Sequence, residues 1–341
     1  MSAIAALGPN GNERSRPAGG ADRPAFRSAS VILNRQSGGL LGGDPDVAAA
    51  GICERLQAAG VSARPHLVPP RELANAIEEA LAEDTEALVV GGGDGTVRSV
   101  ANRMLAGGHG TGKMLGILPL GTFNGLARDL GLGTSSGEAL EQILRARATP
   151  MDVAFVNDHL MLIACLLGPY VALARMREEC RGLGWFRGSS RMIPAWLRAV
   201  FSSAKITVDI QDDHDLNVRA RSRLIAITNN IYRATPQTLP RRLRIDENIM
   251  EIFISRHRSP WGLLRAGLDL LGSRWRDNPG LDYHRARRLE INSARGKRLP
   301  AMIDGEVVTL DLPLRCSLRP AALRILRPET PGPDPDSQRA A

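Results

Sequence analysis

The stretch Val89-Val90-Gly91-Gly92-Gly93-Asp94-Gly95-Thr96 holds the residue types best suited to chemistry in this chain. An apolar run ends in three glycines, and a carboxylate, a further glycine and a hydroxyl follow. Glycines let a backbone approach an anion closely, and Thr96 can donate to a phosphate oxygen. The apolar residues Val97, Val100, Met104 and Leu105 then recur at helical spacing, so a helix starts directly after the loop. A loop between a strand's C-terminal end and a helix N-terminus presents free backbone amides to an anion. A carboxylate beside phosphate is costly unless it works. Asp94 could take the proton of an attacking hydroxyl or orient a magnesium ion. The bland reading is a tight strand-to-helix turn with Asp94 as a cap. No Gly-Lys-Ser/Thr follows, so this is not a Walker loop.

Three further segments carry related chemistry. Ile117-Leu118-Pro119-Leu120-Gly121-Thr122-Phe123-Asn124 is again an apolar run entering a helix, and Gly121 and Thr122 would form a second phosphate-facing turn at the same sheet edge. Asn34-Arg35-Gln36-Ser37-Gly38-Gly39 closes the first apolar run. Far downstream, Leu299-Pro300-Ala301-Met302-Ile303-Asp304-Gly305-Glu306 contains an Asp-Gly pair that alone would be a hairpin turn.

Together these segments resemble one family. The glycine loop looks like the G-G-D-G-T motif shared by diacylglycerol kinases, sphingosine kinases, NAD kinases and, more distantly, phosphofructokinases. The segment 117–124 is similar to the P-L-G-T-x-N stretch of the diacylglycerol kinase catalytic domain, and the NAD kinase T-P-T-G-S-T-A-Y stretch is absent. Residues 34–39 resemble the family's N-P-x-S-G loop with Arg35 in place of Pro, and Asp304-Gly305-Glu306 resembles its D-G-E segment. Residues 151–153 with Val156 and Asn157 look like the first hairpin of its second domain, so the likeness runs from about residue 30 to 327.

The resemblance implies an ATP-dependent lipid kinase that phosphorylates a hydroxyl of a diacylglycerol-like or sphingoid-like membrane lipid, with ATP and Mg2+ as cofactors. It implies catalytic roles for Asp94, Asp304 and Glu306. It places Asn34, Ser37, Gly38, Gly92, Gly93, Gly95, Thr96, Gly121, Thr122 and Asn124 on the ATP phosphates, and it names no metal ligands. Two departures bear on the acceptor. Asn124 is followed by Gly125 where many members carry Asp, and residues 162–168 are apolar where the family commonly places Asn. They keep two other readings open, a degenerate lipid- or nucleotide-binding pseudokinase and a soluble-metabolite kinase related to NAD kinase.

These loops need a scaffold, and the chain supplies one. From Ser30 short apolar runs alternate with amphipathic segments, the pattern of a parallel sheet covered by helices. Strands are expected at 31–33, 61–68, 87–90 and 115–118. Helices are expected from Asp44-Pro45 to Gly60, from Arg71, after Thr96 and at 138–146. At Pro150 the pattern changes to strands joined by turns, at 151–156, 160–166, 206–210, 221–228, 249–255, 288–292 and 307–310. Residues 211–216 read as a hairpin loop, and helical insertions are expected at 192–201 and 260–271. The fold class is therefore an N-terminal α/β domain followed by an all-β antiparallel sandwich. The divisions are a disordered extension 1–27, a nucleotide-binding domain 28–150, a substrate domain 151–327 and a disordered tail 328–341.

At 341 residues the chain is long enough for two cores, and its net charge of +8 favours an anionic partner. With 4% aromatic residues and no binding motif, nucleic acid is not expected as that partner. Cys53, Cys165, Cys180 and Cys316 show no paired or metal-ligand spacing, which fits a reducing cytoplasm. The longest apolar run, 160–174, is broken by Gly168 and Pro169 and is too short to cross a bilayer, so peripheral contact with an anionic membrane is expected. Trp185, Phe186, Arg187, Arg191, Trp196, Arg198 and Phe201 mix aromatic and guanidinium groups suited to a membrane interface or to ordinary core packing, and Trp261 and Trp275 pose the same choice. The sequence fixes no oligomeric state, a homodimer being one option.

Overall fold

The computed structural model describes residues 23–40, 43–106, 112–169, 171–172, 198, 201, 205–212, 216–235, 238–257, 259–271, 275–293 and 296–328. Four strands begin the fold: β1 (Ser28–Asn34), β2 (Ser62–Val68), β3 (Ala87–Gly92) and β4 (Met114–Pro119). They lie parallel in the order β2-β1-β3-β4, with Ile32 opposite Val90 and Val90 opposite Ile117. Helices α1 (Pro45–Ala58), α2 (Leu73–Ala82), α3 (Asp94–Ala106), α4 (Gly125–Asp129) and α5 (Ser136–Leu144) connect and cover them.

The helices start within about two residues of the expected positions. The Asp44 side chain accepts the amide of Asp46 ahead of Pro45, and Ser135 accepts that of Glu138. The helix expected from Arg71 begins one residue earlier as a 3-10 turn over Pro70–Glu72, and α2 takes over at Leu73. Every residue of β3 and β4 is buried, as a strand sandwiched by helices requires. Each fully buried Leu or Val there contributes roughly 1.5–3 kcal/mol by leaving water.

The second lobe contains β5 (Arg147–Val156), β6 (His159–Met161), β7 (Ala164–Leu167), β8 (Ile206–Asp212), β9 (Asn217–Ser222), β10 (Ile225–Asn229), β11 (Tyr232–Thr235), β12 (Thr238–Arg242) and β13 (Met250–Ser255). Helix α6 (Pro260–Leu271) follows, then β14 (Leu281–Ala286), β15 (Arg288–Ser293), β16 (Arg298–Ile303), β17 (Glu306–Asp311) and β18 (Leu314–Arg327). One antiparallel sheet runs β14-β13-β10-β7-β16-β17, and it faces strands β18-β15-β8-β9 of the first sheet. Ile227, Ile252 and Ile303 from one side meet Val208, Ile291 and Leu314 from the other in a second apolar core. The α/β lobe followed by antiparallel β-sheets is the architecture expected from the sequence.

Strand β18 joins the lobes. Its first half pairs with β15, its second half pairs parallel with β4, and β5 lies antiparallel along nearly all of it. A bulge between Arg319 and Leu323 makes the change of partner, and Asp152 holds the amide of Ala321 there at 2.8 Å. Strand β5 passes through Pro150, where the sequence pattern changes, without interruption.

Two expected strands are each divided. The stretch 221–228 breaks because the Ser222 hydroxyl accepts the amide of Leu224, turning the chain between β9 and β10. The stretch 160–166 breaks because the amides of Leu162, Ile163 and Ala164 turn to a side chain, Asp304, and leave the ladder. Strands β8 and β9 form the hairpin expected around 211–216, with residues 213–215 outside the described residues. The expected helix at 260–271 is α6, whereas 192–201 lies outside the described residues except for Arg198 and Phe201. So do Cys180, Trp185, Phe186, Arg187, Arg191 and Trp196, as well as 1–22 and 329–341. Trp275 is core, packed on Phe253 and Tyr283, while Trp261 is 70% exposed. Cys53, Cys165 and Cys316 are buried free thiols.

Candidate active site

Because β1, β3 and β4 are parallel neighbours, the loops at their C-terminal ends emerge side by side. The loops touch. Gly39 donates to the Leu120 carbonyl at 2.9 Å, Leu120 donates to the Gly92 carbonyl at 3.1 Å, and the Asn34 amide reaches Thr96 Oγ1 at 3.3 Å. Gly121 must be glycine, since a β-carbon there would collide with the α-carbon of Gly93. Asn124, with a φ of 48°, accepts the Gly121 amide and donates to the Gly121 carbonyl, closing the second loop on itself.

Of the expected phosphate contacts, Asn34, Ser37, Gly38, Gly92, Gly93, Gly95, Thr96, Gly121, Thr122 and Asn124 all lie on these three loops. Thr96 and Ser37 are buried, and the Ser37 hydroxyl has no hydrogen-bond partner. A buried hydroxyl without a partner is costly, and an anion oxygen would satisfy it. The residues present therefore fit a polyphosphate: backbone at a helix start, two hydroxyls and an Asn amide.

The three acids sit differently. Asp94 accepts the amides of Gly125 and Leu126 at 3.0 and 3.2 Å, so it caps α4 and ties the first glycine loop to the second. Asp304, in a left-handed conformation with a φ of 50°, accepts the amides of Leu162, Ile163 and Ala164 at 2.8, 2.8 and 3.0 Å. Burial pushes the Asp304 carboxyl above its ordinary pKa, against those three amides and the Arg98 guanidinium. Glu306 is half exposed, pairs with Arg98 of α3, and lies with Oε1 2.6 Å from where a β-carbon on Gly95 would be. The structure thus brings all three acids to one region, with Glu306 the most accessible. Among the described residues no cluster of three or more His, Cys, Asp or Glu could hold a metal by itself.

The departures at Gly125 and at 162–168 meet at Ile163. A β-carbon on Gly125 would lie 3.0 Å from Ile163 Cδ1 and 3.0 Å from the Phe123 ring, so an apolar wall stands where the resemblance implied a carboxylate. One helical turn on, Asp129 is buried against Tyr232 and Arg242. Sequence reasoning missed Arg98, Tyr232 and Arg242. Arg98 sits on a helix face that reads as solvated, and Arg242 belongs to an ordinary-looking arginine pair.

The structure is two-lobed, with three glycine-bearing loops at a parallel sheet edge and acids delivered to them from a β lobe. Residues 28–156 match the diacylglycerol kinase catalytic domain. A Pseudomonas aeruginosa protein named "Probable lipid kinase YegS-like" is 31% identical over 258 residues, 74% of this chain and 80% of that one. A Klebsiella pneumoniae protein of the same name is 42% identical over 82 residues, 24% of this chain and 27% of its own length. A solved diacylglycerol kinase structure from Bacillus anthracis superposes with a TM-score of 0.66 at 18% identity, covering 89% of this chain and 98% of that one, which shows the shared fold. The chain belongs to the diacylglycerol kinase catalytic-domain family.

Proposed function

We propose that this protein is an ATP-dependent lipid kinase that transfers a phosphoryl group to a hydroxyl of a membrane lipid, diacylglycerol-like or sphingoid-like. The observation that carries the reading is the meeting of three glycine-bearing loops with the Asp304-Gly305-Glu306 turn of the other lobe. Phosphoryl transfer needs positioning and charge stabilisation more than covalent chemistry, and this arrangement supplies both.

In this reading, the amides at the start of α3, the hydroxyls of Ser37 and Thr96 and the Asn34 amide bind the phosphates. Asp94 keeps Gly125 and Leu126 in place, fixing the second loop against the first. Magnesium, when bound, would neutralise phosphate charge, carried mainly by the nucleotide with Asp94 or Glu306 as the protein's contribution. Glu306 is the acid best placed to accept the acceptor's hydroxyl proton, and Arg98 holds it against Gly95. Asp304 keeps the turn that carries Glu306.

The lipid would be reached from the membrane surface. Among the described residues no helix is long and apolar enough to cross a bilayer. The net charge of +8, together with exposed Trp261, Phe201 and Leu243, supports peripheral attachment to an anionic membrane on the cytoplasmic side. The test is radiolabelled ATP with a total lipid extract, followed by identification of the product. A labelled lipid is expected. ATP binding without any labelled lipid would favour the pseudokinase reading, and label on a soluble metabolite would favour the other.

A further inference from the structure

A closed circuit of hydrogen bonds joins the two lobes at the candidate site, and half of it runs through residues without an assigned role. It starts at Asp94, which accepts the first amides of α4. At the other end of that helix, Asp129 Oδ2 accepts the Tyr232 hydroxyl at 2.5 Å and Arg242 Nε at 2.9 Å. Arg242 Nη1 then donates to the carbonyls of Leu162 at 2.8 Å and Asn229 at 3.1 Å. The amides of Leu162, Ile163 and Ala164 bind Asp304, and Glu306 two residues on pairs with Arg98 and abuts Gly95, the neighbour of Asp94.

The middle of the circuit is dry. Arg242 is fully buried and Asp129 is 6% exposed. Burial works against the Arg242 charge, but Tyr232, Asp129 and Asp304 together hold its pKa above the ordinary value. Burial also lifts the Tyr232 hydroxyl well above its ordinary pKa, so it remains a donor to Asp129. A buried ion pair is a poor source of net stability, because desolvation offsets most of the attraction. Its directional bonds do fix geometry, since a planar guanidinium can serve several acceptors only in one orientation. Here those acceptors are one carboxylate of the nucleotide-loop lobe and two carbonyls of the lobe that carries the Asp-Gly-Glu turn.

We infer that Arg242, with Asp129 and Tyr232, is a positioning residue: without touching substrate, it holds the turn of Asp304 and Glu306 in register with the phosphate loops. The kinetic part of this inference rests on the phosphotransfer reading, whereas the structural part does not.

The test uses the full chain with Arg242→Lys and Tyr232→Phe, read by amide hydrogen exchange and by kinetics. Lysine keeps the charge but cannot bridge Asp129, Leu162 and Asn229 together. In Arg242→Lys, exchange at 162–164 should rise about tenfold or more, the scale of one charge-assisted hydrogen bond, while β1, β3 and β4 stay protected. With saturating ATP, kcat should fall about tenfold while KM for ATP stays within about twofold, because the phosphate loops are untouched. Tyr232→Phe should show a smaller rise confined to the same segment, and it decides the matter if Arg242→Lys does not fold. Unchanged exchange at 162–164, a uniform rise across both lobes, or an unchanged kcat in a folded variant would overturn the inference. If the wild-type protein labels no lipid, the kinase reading fails and the exchange result still decides this one.

Discussion

The guanidinium of Arg98, on the helix that leaves the first glycine loop, is paired with Glu306 of the other lobe. Arg98 is largely buried, and its surroundings lower its pKa through desolvation while Asp304 opposes the shift. The pair fixes the most accessible of the three acids beside Gly95. Glu306→Gln keeps the shape but loses the base, so kcat should drop by about a hundredfold or more with little change in ATP affinity. Gly95→Ala should produce a similar loss by pushing the carboxylate away. Near-normal turnover of Glu306→Gln would remove the proton-accepting role.

Asp94→Asn should abolish phosphoryl transfer while nucleotide binding survives. The structure adds a second expectation. An amide in place of the carboxylate would set an N–H against the Gly125 or Leu126 amide, costing about 1–3 kcal/mol. Thermal melting and calorimetric titration with a non-hydrolysable ATP analogue separate the two effects: full activity in this variant would sink the first, and an unchanged melting temperature the second.

In the proposed function, Gly125 lies on the acceptor side. Introducing Asp there places a carboxylate against Ile163 and Phe123, so the variant should lose some stability, about 1–3 kcal/mol, as overpacked sites do. Where it folds, relative kcat/KM across a lipid panel should shift toward acceptors with more polar head groups. Identical ratios in both proteins would show that this wall does not select the acceptor.

Membrane attachment should be electrostatic with an aromatic component. Co-sedimentation with anionic vesicles is expected at low salt and should weaken as ionic strength rises. Trp261→Ala and Phe201→Ala, which break the 5.2 Å edge-to-face pair, should reduce binding further without lowering turnover on detergent-dispersed lipid. Vesicle binding that ignores both salt and these substitutions would contradict the surface reading.

Much of the fold could be read from the sequence because local chemistry decided it. Asp44-Pro45, Gly60 and the i, i+4 spacing of Leu73, Ile77 and Leu81 each act within a few residues, and the corresponding elements appear with small shifts. The glycine loops were legible for the same reason. What escaped depends on distant partners. Strand β18 takes its meaning from β4, β5 and β15, and the 162–164 break exists because Asp304 lies 140 residues away or more. Asp129, Tyr232 and Arg242 are unremarkable in sequence because their roles arise only when two lobes close around them. Asp94 shows a subtler case: the cap expected at its own strand-to-helix turn is made instead to a helix that belongs to the neighbouring loop.

Strand β18 also sets the order in which the molecule can be completed. Met114 and Leu115 of β4 are bordered by Arg324 and Ile325, more than two hundred residues later. When the last residue of α5 has left the ribosome, the parallel sheet is one strand short, with β4 as an open edge. The nucleotide lobe is finished only after the whole β lobe has been synthesised and its final strand threaded alongside. Such long sequence separations slow folding. In return, the halves share one sheet: β5 and β18 run continuously through it from the parallel strands to the antiparallel ones, so the lobes inherit their alignment from unbroken strands.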